Sequence, residues 1–196
     1  MNVVVVLAHP SPGSLNHAAF DTAVAALTAG GHHVTALDLY ALGFPAVMSQ
    51  DDRIAYHSET PIISAITREH ADAVRAADTL VFVYPTWWSS LPAMLKGWLE
   101  KVMAPGVAFV FDERTGKVRP GLTNVRRIVG ISTYSSQRLA VMAANDNGRR
   151  TVLRALRMCT GLRTRTTWVA LYSVPKSTAE ERSAFLLRVR SAMEAL

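Results

Sequence analysis

Short apolar runs alternate with longer stretches of helical periodicity along this chain, and that alternation predicts its architecture. The first run, Val3 to Leu7, contains only valine and leucine. A strand with no polar position is typical of a parallel sheet that is covered on both faces, whereas a half-exposed strand alternates apolar and polar residues. A helix is predicted to follow over residues 14–29, and Gly30 and Gly31 can end it.

The same alternation continues through the rest of the chain. Further strands are predicted at residues 33–38, 79–84, 127–132 and 166–171, and further helices at 64–76, at 91–102, in a stretch ending near 160 and from 177 onward. The last helix opens with Ser177-Thr178-Ala179-Glu180, a capping-box pattern in which a hydroxyl and a carboxylate satisfy backbone N–H groups. The intervening connections are predicted at residues 40–63, 104–124 and 133–147.

Five strand–helix units predict a single domain over residues 1–196. The expected fold class is α/β, a flavodoxin-like, doubly wound, five-stranded parallel sheet with strand order 2-1-3-4-5 and helices on both faces. In such a sheet, ligands bind beyond the carboxyl ends of the strands, where the strand order reverses. The candidate site therefore lies in the loops after the first, third and fourth strands, which read AHPSPGSLN, PTWWSSLP and STYSSQ.

The composition of the chain indicates a folded globular domain. Hydrophobic residues make up 49% of the chain and charged residues 18%, which is typical of a folded globular domain. The longest apolar runs are too short to cross a bilayer, so no membrane insertion is expected. The first residues lack the pattern of a secretory signal, and the single cysteine, Cys159, fits a reducing compartment. A cytoplasmic location is therefore expected.

The net charge of +6 favours anionic partners. Many of the arginines fall between residues 114 and 165, but they are spread over several predicted elements, and no nucleic-acid-binding motif accompanies them. Nucleic acid is therefore not expected as a partner. A phosphorylated small ligand and an ordinary solvated basic surface are both compatible with this charge.

The first of the three loops leads directly into a helix. It contains neither the dinucleotide fingerprint GxGxxG nor the phosphate-binding loop GxxxxGK(S/T). Ser14 begins the helix, whose first N–H groups and partial positive charge suit a phosphate, and His9 could add a hydrogen bond or a charge. A plain N-cap by Ser14, with His9 filling a turn, explains the same residues equally well.

Two tryptophans, Trp87 and Trp88, follow the third strand, and a turn is an unusual place for such large side chains. They could form the wall of a pocket for a wide aromatic ligand, with backbone groups of the turn meeting its polar edge. They could also cap the core or fill a subunit interface. Ser89 and Ser90 are interpreted as a turn and an N-cap before the next helix.

The stretch FVYPTWWSSLPAMLKGWLEKV resembles the NAD(P)H:quinone oxidoreductases, the DT-diaphorase-like branch of the flavodoxin fold. In that family a strand is followed by Pro, by aromatic or apolar residues, by a short polar or Gly pair, and by P-A-x-L-K-G-W-x-(D/E)-(K/R)-V. The segments LAHPSPGSLNHA and GHHVTALDLYALGFPAVMS are similar to the family's first loop and to its DLY-x-x-x-F-x-P segment, although Pro45 comes one place early. The resemblance covers residues 2–135.

This resemblance implies a flavin site, for FMN or for FAD. The flavin phosphate would be held by four residues of the first loop, His9, Ser14, Leu15 and Asn16. The flavin ring would be lined, largely through backbone contacts, by Pro85, Thr86, Trp87 and Trp88. Its pyrimidine end would be closed by Thr133, Tyr134 and Ser135.

The resemblance also implies a reaction. NAD(P)H would pass a hydride to flavin N5, and a quinone or a similar electrophilic acceptor would then take two electrons at the same place, while the protein supplies orientation and hydrogen bonds. The residues leave the choice between NADH and NADPH open. A homodimer is expected from the resemblance, with each pocket completed by loops of the partner.

The chain departs from the family pattern in two places. The family's fourth loop carries a Gly pair, then a Tyr and a His proposed to balance charge on the reduced flavin, whereas here the stretch up to Gly148 has no His. Tyr134 is the only phenol nearby, so it is the candidate catalytic residue, as a proton relay. Phe109 and Phe111 replace tyrosines that often face the quinone, and they are the candidate substrate-pocket residues.

The main alternative to an enzyme is a non-catalytic, flavin-bearing regulatory subunit of a membrane transport system, or a flavodoxin-like electron carrier. Such carriers are usually acidic, whereas this chain is basic. A serine hydrolase would need the second Gly of the nucleophile elbow, which residues 130–134 lack. No metal site is expected, and the scattered histidines are interpreted as surface residues: His17, His32, His33, His57 and His70.

Overall fold

A computed structural model describes residues 1–196, and its centre is a sheet of five parallel strands. The chain has seven strands in all: β1 (Asn2–Leu7), β2 (His33–Asp38), β3 (Thr79–Pro85), β4 (Phe109–Phe111), β5 (Val118–Pro120), β6 (Arg127–Thr133) and β7 (Arg165–Leu171). The sheet order is β2-β1-β3-β6-β7, and β4 pairs with β5 in a separate antiparallel hairpin. The predicted fold class is therefore confirmed, as is the order 2-1-3-4-5 of the parallel strands.

Helices cover both faces of this sheet. They are α1 (Leu15–Ala29), α2 (Gln50–Ala55), α3 (Ala65–Ala76), α4 (Ala93–Val102), α5 (Arg138–Ala143), α6 (Asn147–Arg150), α7 (Arg157–Thr160) and α8 (Ala179–Glu194). A π-helical turn, Thr151–Ala155, joins α6 to α7, and a short 3₁₀ turn covers Val174–Lys176. One face of the sheet packs against α1 and α8, and the other against α3, α4 and the π-helical turn. No helix has both the length and the apolar character that crossing a membrane requires.

The central strands β1 and β3 explain the uninterrupted apolar runs of the sequence. All seven residues of β3 are buried, and so are Val3 to Leu7 of β1. Alternate side chains enter different cores: Val5 packs on the α1–α8 face, and Val4 packs on the opposite face. A strand that is covered on both sides favours apolar side chains, because an unpaired polar group costs free energy there, although β3 carries two buried hydroxyls without a partner, those of Thr79 and Tyr84.

Close packing fixes the K-G-W stretch of α4. A Cβ on Gly97 would overlap the carbonyl oxygen of Ala46, so this position requires glycine. The next residue, Trp98, is fully buried, and its Nε1–H donates to Nδ1 of His70 (3.0 Å). His70 is also buried, stacks on Phe44, and has a pKa lowered by that burial. The interpretation of His70 as a surface residue was wrong, because its ring satisfies a buried indole N–H.

Four local predictions differ from the structure. The predicted connections contain α2, α5 and the hairpin β4–β5. The capping box of α8 lies one residue later than predicted: Thr178 Oγ1 accepts the N–H of Glu181 (3.2 Å), and Glu181 Oε2 accepts the N–H of Thr178 (2.8 Å). Two hydroxyl residues and two glutamates are adjacent here, so the sequence allowed either register. The structure adopts the second one.

Candidate functional site

The loops after β1, β3 and β6 meet at the carboxyl edge of the sheet, as predicted. Together with two residues that follow β7 they line a cleft of about 260 Å³, here called the inner cleft: His9, Ser14, Leu15, Asn16, Pro85, Thr86, Trp87, Thr133, Tyr134, Ser135, Val174 and Pro175. A larger space of about 550 Å³, here called the outer cavity, shares four of these residues, Thr86, Trp87, Tyr134 and Ser135. Its other lining residues are Trp88, Ser89, Ser136 and Val141.

Every residue predicted to hold or line a flavin lies in one of these two spaces, with Trp88 in the outer cavity alone. Phe109 and Phe111, predicted for the substrate pocket, line neither. They lie on the hairpin β4–β5, where Phe109 packs partly against the core and Phe111 is 55% exposed. Within one chain the structure does not bring them to the site, so their role stays a prediction that depends on a second subunit.

The N-terminus of α1 presents unpaired backbone donors at the inner cleft. Ser14 is the N-cap, and its Oγ accepts the N–H of His17 (3.2 Å). The N–H groups of Leu15 and Asn16 have no acceptor in the chain, as is usual for the first turn of a helix. Two free N–H groups and the positive end of the helix dipole suit an anion. This end of the cleft can therefore hold a phosphate in addition to its N-cap.

His9 lies just beyond β1 and offers a neutral hydrogen-bond donor. The N–H of Ser11 donates to its Nδ1 (3.0 Å), so the neutral ring carries its proton on Nε2. Burial lowers the pKa of His9, and the nearby His17 lowers it further. The ring packs beside Trp87, with 6.0 Å between the ring centroids. His9 can therefore supply an N–H group to the cleft without a positive charge.

Asn16 joins the first loop to the end of β6. Its side chain is buried, and its Nδ2 donates to Oγ1 of Thr133 (2.9 Å). Its Oδ1 is also buried but has no donor in the chain. A buried polar atom without a partner costs about 1–3 kcal/mol. Because Asn16 lines the inner cleft, this oxygen marks a place where the N–H or O–H group of a ligand fits.

The turn after β3 holds both tryptophans outside the core. Trp87 and Ser90 exchange two backbone hydrogen bonds (3.2 and 2.9 Å). At the tip, Trp88 and Ser89 have φ angles of 49° and 55°, in the left-handed region that residues other than glycine rarely adopt. The side chain of Trp88 is fully exposed, and that of Trp87 is 41% exposed. Trp88 therefore does not cap the core, and a ligand or a second subunit remains as its partner.

The interpretation of Ser89 and Ser90 was half right. They form the turn, but the N-cap of α4 is Pro92, which has no side-chain cap hydrogen bond. Ser89 instead fixes the turn through its carbonyl oxygen, which accepts the N–H groups of Asn147 (2.9 Å) and Gly148 (3.4 Å). Sequence reasoning missed this contact, because no local motif links the turn to the start of α6.

Tyr134 is buried at the border of the two spaces. Its hydroxyl donates to the carboxylate of Asp146, 3.0 Å from Oδ1 and 3.1 Å from Oδ2, and its ring stacks on Tyr172 with centroids 4.6 Å apart. Burial, reinforced by the negative charge of Asp146, raises the pKa of Tyr134 far above its usual value of 10.0, so the hydroxyl keeps its proton. Sequence reasoning missed Asp146: it fell in the predicted connection 133–147, where nothing local gave its carboxylate a partner.

Comparison with known proteins agrees with this fold. The chain matches the Flavodoxin-like fold family (Flavodoxin_2) over residues 1–191. It is 33% identical over 148 residues to NAD(P)H dehydrogenase (quinone) 1 of Rattus norvegicus, an alignment that covers 68% of this chain and 53% of that protein. The chain thus spans about half the length of the curated relatives it matches.

Two solved structures are similar over nearly the whole chain. The crystal structure of Smu.1420 from Streptococcus mutans UA159 has a TM-score of 0.83 and 26% identity, with 100% of both chains covered. The NAD(P)H:quinone oxidoreductase from Methanothermobacter marburgensis has a TM-score of 0.82 and 24% identity, with 99% of this chain and 98% of that chain covered, a likeness that speaks for the fold alone. The curated relatives confirm the resemblance to NAD(P)H:quinone oxidoreductases, and the chain belongs to the Flavodoxin-like fold family.

Proposed function

We propose that this chain is a flavin-dependent NAD(P)H:quinone oxidoreductase. The observation that carries the proposal is the continuity of the inner cleft with the outer cavity at the carboxyl edge of the sheet. One end offers the free N–H groups of a helix N-terminus, and the other is walled by two exposed tryptophans. A ligand that joins a phosphate to a wide aromatic ring fits this arrangement. The name of the rat relative supports the same reading.

The residues present fit a flavin along its length. The phosphate would be bound by the N–H groups of Leu15 and Asn16, by Ser14 and by Nε2–H of His9. The partnerless Oδ1 of Asn16 would accept from a hydroxyl of the flavin side chain. The ring would lie against Pro85, Thr86, Trp87 and Trp88, with Thr133, Tyr134 and Ser135 at its pyrimidine end. FMN and FAD share all of these groups.

A flavin held there supplies the redox chemistry, because it can accept a hydride from NAD(P)H and deliver two electrons to a quinone or a similar electrophilic acceptor. The chain itself orients the reactants. Trp87 and Tyr134 line both spaces and exclude water from the ring. The helix N-terminus would fix the phosphate, so a bound flavin would be held in one position along the two spaces.

Within this proposal Tyr134 is the catalytic residue. Its hydroxyl stays protonated at neutral pH because burial and Asp146 oppose its ionisation. The phenol has one hydrogen, which it donates to Asp146 in this structure, so it can serve a bound flavin as a proton relay only when its hydroxyl turns away from that carboxylate. The Tyr134–Asp146 pair thus differs from the Tyr and His of the family pattern, because a carboxylate adds a negative charge where a histidine can balance one.

The proposed assembly is a homodimer. Large apolar side chains are exposed on the tryptophan turn and on the hairpin β4–β5: Trp88 is fully exposed, Phe111 is 55% exposed and Val118 is 63% exposed. Apolar surface of this kind marks an interaction site. A second copy placed over the outer cavity would bring its hairpin, with Phe109 and Phe111, to the acceptor. The use of NAD(P)H and the unpaired Cys159 go with a cytoplasmic location.

A non-catalytic role is the second candidate function. The exposed Trp88 would also suit a flavin-bearing regulatory subunit of a membrane transport system, or an electron carrier, that docks on a different protein. In either case flavin would bind, but NAD(P)H would reduce it slowly and quinone would not sustain turnover.

Anaerobic flavin reduction tests the proposal. The protein is loaded with FMN or with FAD, and NADH or NADPH is added while the flavin absorbance is followed. We expect rapid bleaching and a return of the absorbance when a quinone is added. Flavin that binds but is not reduced supports the regulator or the carrier. A protein that binds neither FMN nor FAD contradicts the flavin site itself.

A further inference from the structure

A chain of hydrogen bonds runs from the N-cap of α1 to the end of β2. Ser14 Oγ lies 3.0 Å from Nδ1 of His17, and Nε2 of His17 lies 3.0 Å from Oδ2 of Asp38. The side chains of His17 and Asp38 are mostly buried, with 13% and 22% exposed. The interpretation of His17 as a surface residue was therefore wrong. Through Ser14, its ring contacts the wall of the inner cleft.

At the Asp38 end of these hydrogen bonds, the carboxylate determines which nitrogen of the His17 ring carries a proton. Oδ1 of Asp38 accepts the N–H groups of Tyr40 (3.1 Å) and Ala41 (3.2 Å), which holds the carboxylate in place. Its Oδ2 acts as an acceptor, so Nε2 of His17 carries a proton in both charge states of the ring. The charge of His17 is therefore decided at Nδ1, which faces Ser14.

The two states of Nδ1 give Ser14 opposite roles. Ser14 Oγ already accepts the backbone N–H of His17 (3.2 Å). When Nδ1 lacks a proton, Ser14 donates its only hydroxyl hydrogen to the ring and can offer a ligand nothing but a lone pair. When Nδ1 is protonated, Nδ1–H donates to Oγ, and the hydroxyl hydrogen is free to point at a ligand. Only the second state gives an anion both a donor and a nearby positive charge.

We propose that His17 is a positioning residue that couples proton uptake to phosphate binding at the N-terminus of α1, acting through the hydroxyl of Ser14. Identifying this phosphate as that of a flavin rests on the function proposed above. A phosphate repels the lone pair of Ser14 and attracts an imidazolium, so its binding draws a proton onto Nδ1. Asp38 assists because its negative charge balances the charged ring.

The other charged groups near His17 do not provide the same switch. His9, from the loop after β1, packs edge-on against His17 with centroids 6.1 Å apart. Its Nδ1 is already occupied by the N–H of Ser11, so protonation there would break a hydrogen bond. Asp38, from β2, is the carboxylate that contacts the ring, and on α1 itself Asp21 is exposed one turn further along. His17 alone in this group can gain a proton by reversing a hydrogen bond.

Calorimetry of FMN and riboflavin binding tests the coupling. Titrations in buffers of different ionisation enthalpy count the protons taken up per ligand. From about pH 7 to pH 9 the phosphate of FMN is already a dianion, because its second pKa is about 6, so uptake reports on the protein. We expect FMN binding to take up a measurable fraction of a proton, with an affinity that falls by at most about tenfold per pH unit. Riboflavin lacks the phosphate and should show neither effect.

Matched substitutions test whether the proton taken up on FMN binding is held by His17. His17→Asn should abolish the uptake and flatten the pH dependence of FMN affinity, whereas His33→Asn, exposed at the opposite edge of the sheet, should keep both. Asp38→Asn removes the balancing charge and leaves one accepting oxygen in place of two, so the fall in affinity should move to lower pH. Uptake that persists in His17→Asn, or that is absent from the unmodified protein, overturns the proposal.

Binding of inorganic phosphate distinguishes a failure of the His17 coupling from a failure of the proposed flavin function. If FMN, FAD and riboflavin all fail to bind, the flavin function fails. The coupling is then measured with inorganic phosphate by NMR of the imidazole nitrogens of His17. Phosphate that moves the titration of His17 to higher pH supports the coupling, and phosphate that leaves it unchanged overturns it.

Discussion

The hydroxyl of Tyr134 and the carboxylate of Asp146 form a buried pair, 3.0 Å apart, where the inner cleft meets the outer cavity. The carboxylate belongs to a residue with φ of 41°, in the left-handed region, so the backbone of the turn is strained where the pair forms. Such strain is maintained only where surrounding contacts fix it. The pair therefore supports both the packing of the fourth loop and the chemistry proposed for Tyr134.

Tyr134→Phe is expected to slow flavin turnover by about 100-fold, the lower end of the effect of positioned acid–base groups. It also leaves Asp146 buried without its donor, which should lower the free energy of unfolding by about 1–3 kcal/mol. Stopped-flow reduction and reoxidation measure the first effect, and urea unfolding measures the second. Asp146→Asn keeps the phenol and an acceptor for it, so it should retain more activity. Full turnover in Tyr134→Phe would exclude the relay.

Asn16→Leu should weaken flavin binding by about tenfold or more, equivalent to ~1.4 kcal/mol, because it removes the partnerless Oδ1. Fluorescence titration with FMN measures the change. Thr133→Val is the matched control, since it breaks the same internal hydrogen bond but leaves Oδ1 in place. If both variants lost the same FMN affinity, the hydrogen bond between Asn16 and Thr133 would account for the loss, and Oδ1 of Asn16 would not contact the flavin.

The sequence was most informative where the signal is local. The run Val3 to Leu7 required a strand buried on both faces, and Pro85 followed by two tryptophans marked the turn at its correct place. Asp146 and His17 were missed because their partners lie 12 and 21 positions away, at distances that only the folded sheet makes short. Phe109 could not be placed, because its expected contact involves a second subunit.

Gly97→Ala should destabilise the fold, because a Cβ there would overlap the carbonyl oxygen of Ala46, a backbone atom that cannot rotate away. Overpacking of this kind typically costs about 1–3 kcal/mol, and a lower Tm would report it. Gly13→Ala is the control: nothing lies within 4 Å of a Cβ at that position, so its Tm should stay close to that of the unmodified protein. Equal Tm values for all three proteins would contradict the close contact.

Because Lys101 and Asp52 form an ion pair, the free energy of unfolding should fall at acid pH. Its atoms lie 2.9 Å apart, and the side chains are only 5% and 13% exposed. Burial opposes ionisation of Asp52, but hydrogen bonds from Lys101 and Ser49 outweigh it and lower the pKa below the usual 3.8. A carboxyl group whose pKa is lower in the folded state stabilises the fold at pH values above its pKa in the unfolded state. This contribution is lost as the pH falls through the pKa of the folded state. Urea unfolding should therefore show a loss below about pH 4 that is shallower in Asp52→Asn.

The same pair predicts a difference between two lysines. Lys101→Met leaves the carboxylate of Asp52 without its cation and should cost about 3–5 kcal/mol at neutral pH. Lys96 pairs with Glu100 on the helix surface, where both side chains are about half exposed, so Lys96→Met should cost about 0–1 kcal/mol. If Lys101→Met and Lys96→Met lost the same unfolding free energy at neutral pH, the ion pair of Lys101 would be effectively solvated.

Trp88→Ala should separate binding from folding. Its side chain is fully exposed, so truncation removes no packing within the chain and should change the unfolding free energy by no more than about 0.5 kcal/mol. If a second copy covers the outer cavity, the variant should dimerise more weakly in sedimentation experiments and show a raised KM for quinone. Leu162→Ala, 81% exposed at the opposite edge of the sheet, should change neither. A Trp88→Ala protein with unaltered dimerisation and KM would contradict the homodimer site and leave docking on a different protein as the reason for an exposed tryptophan in a left-handed turn.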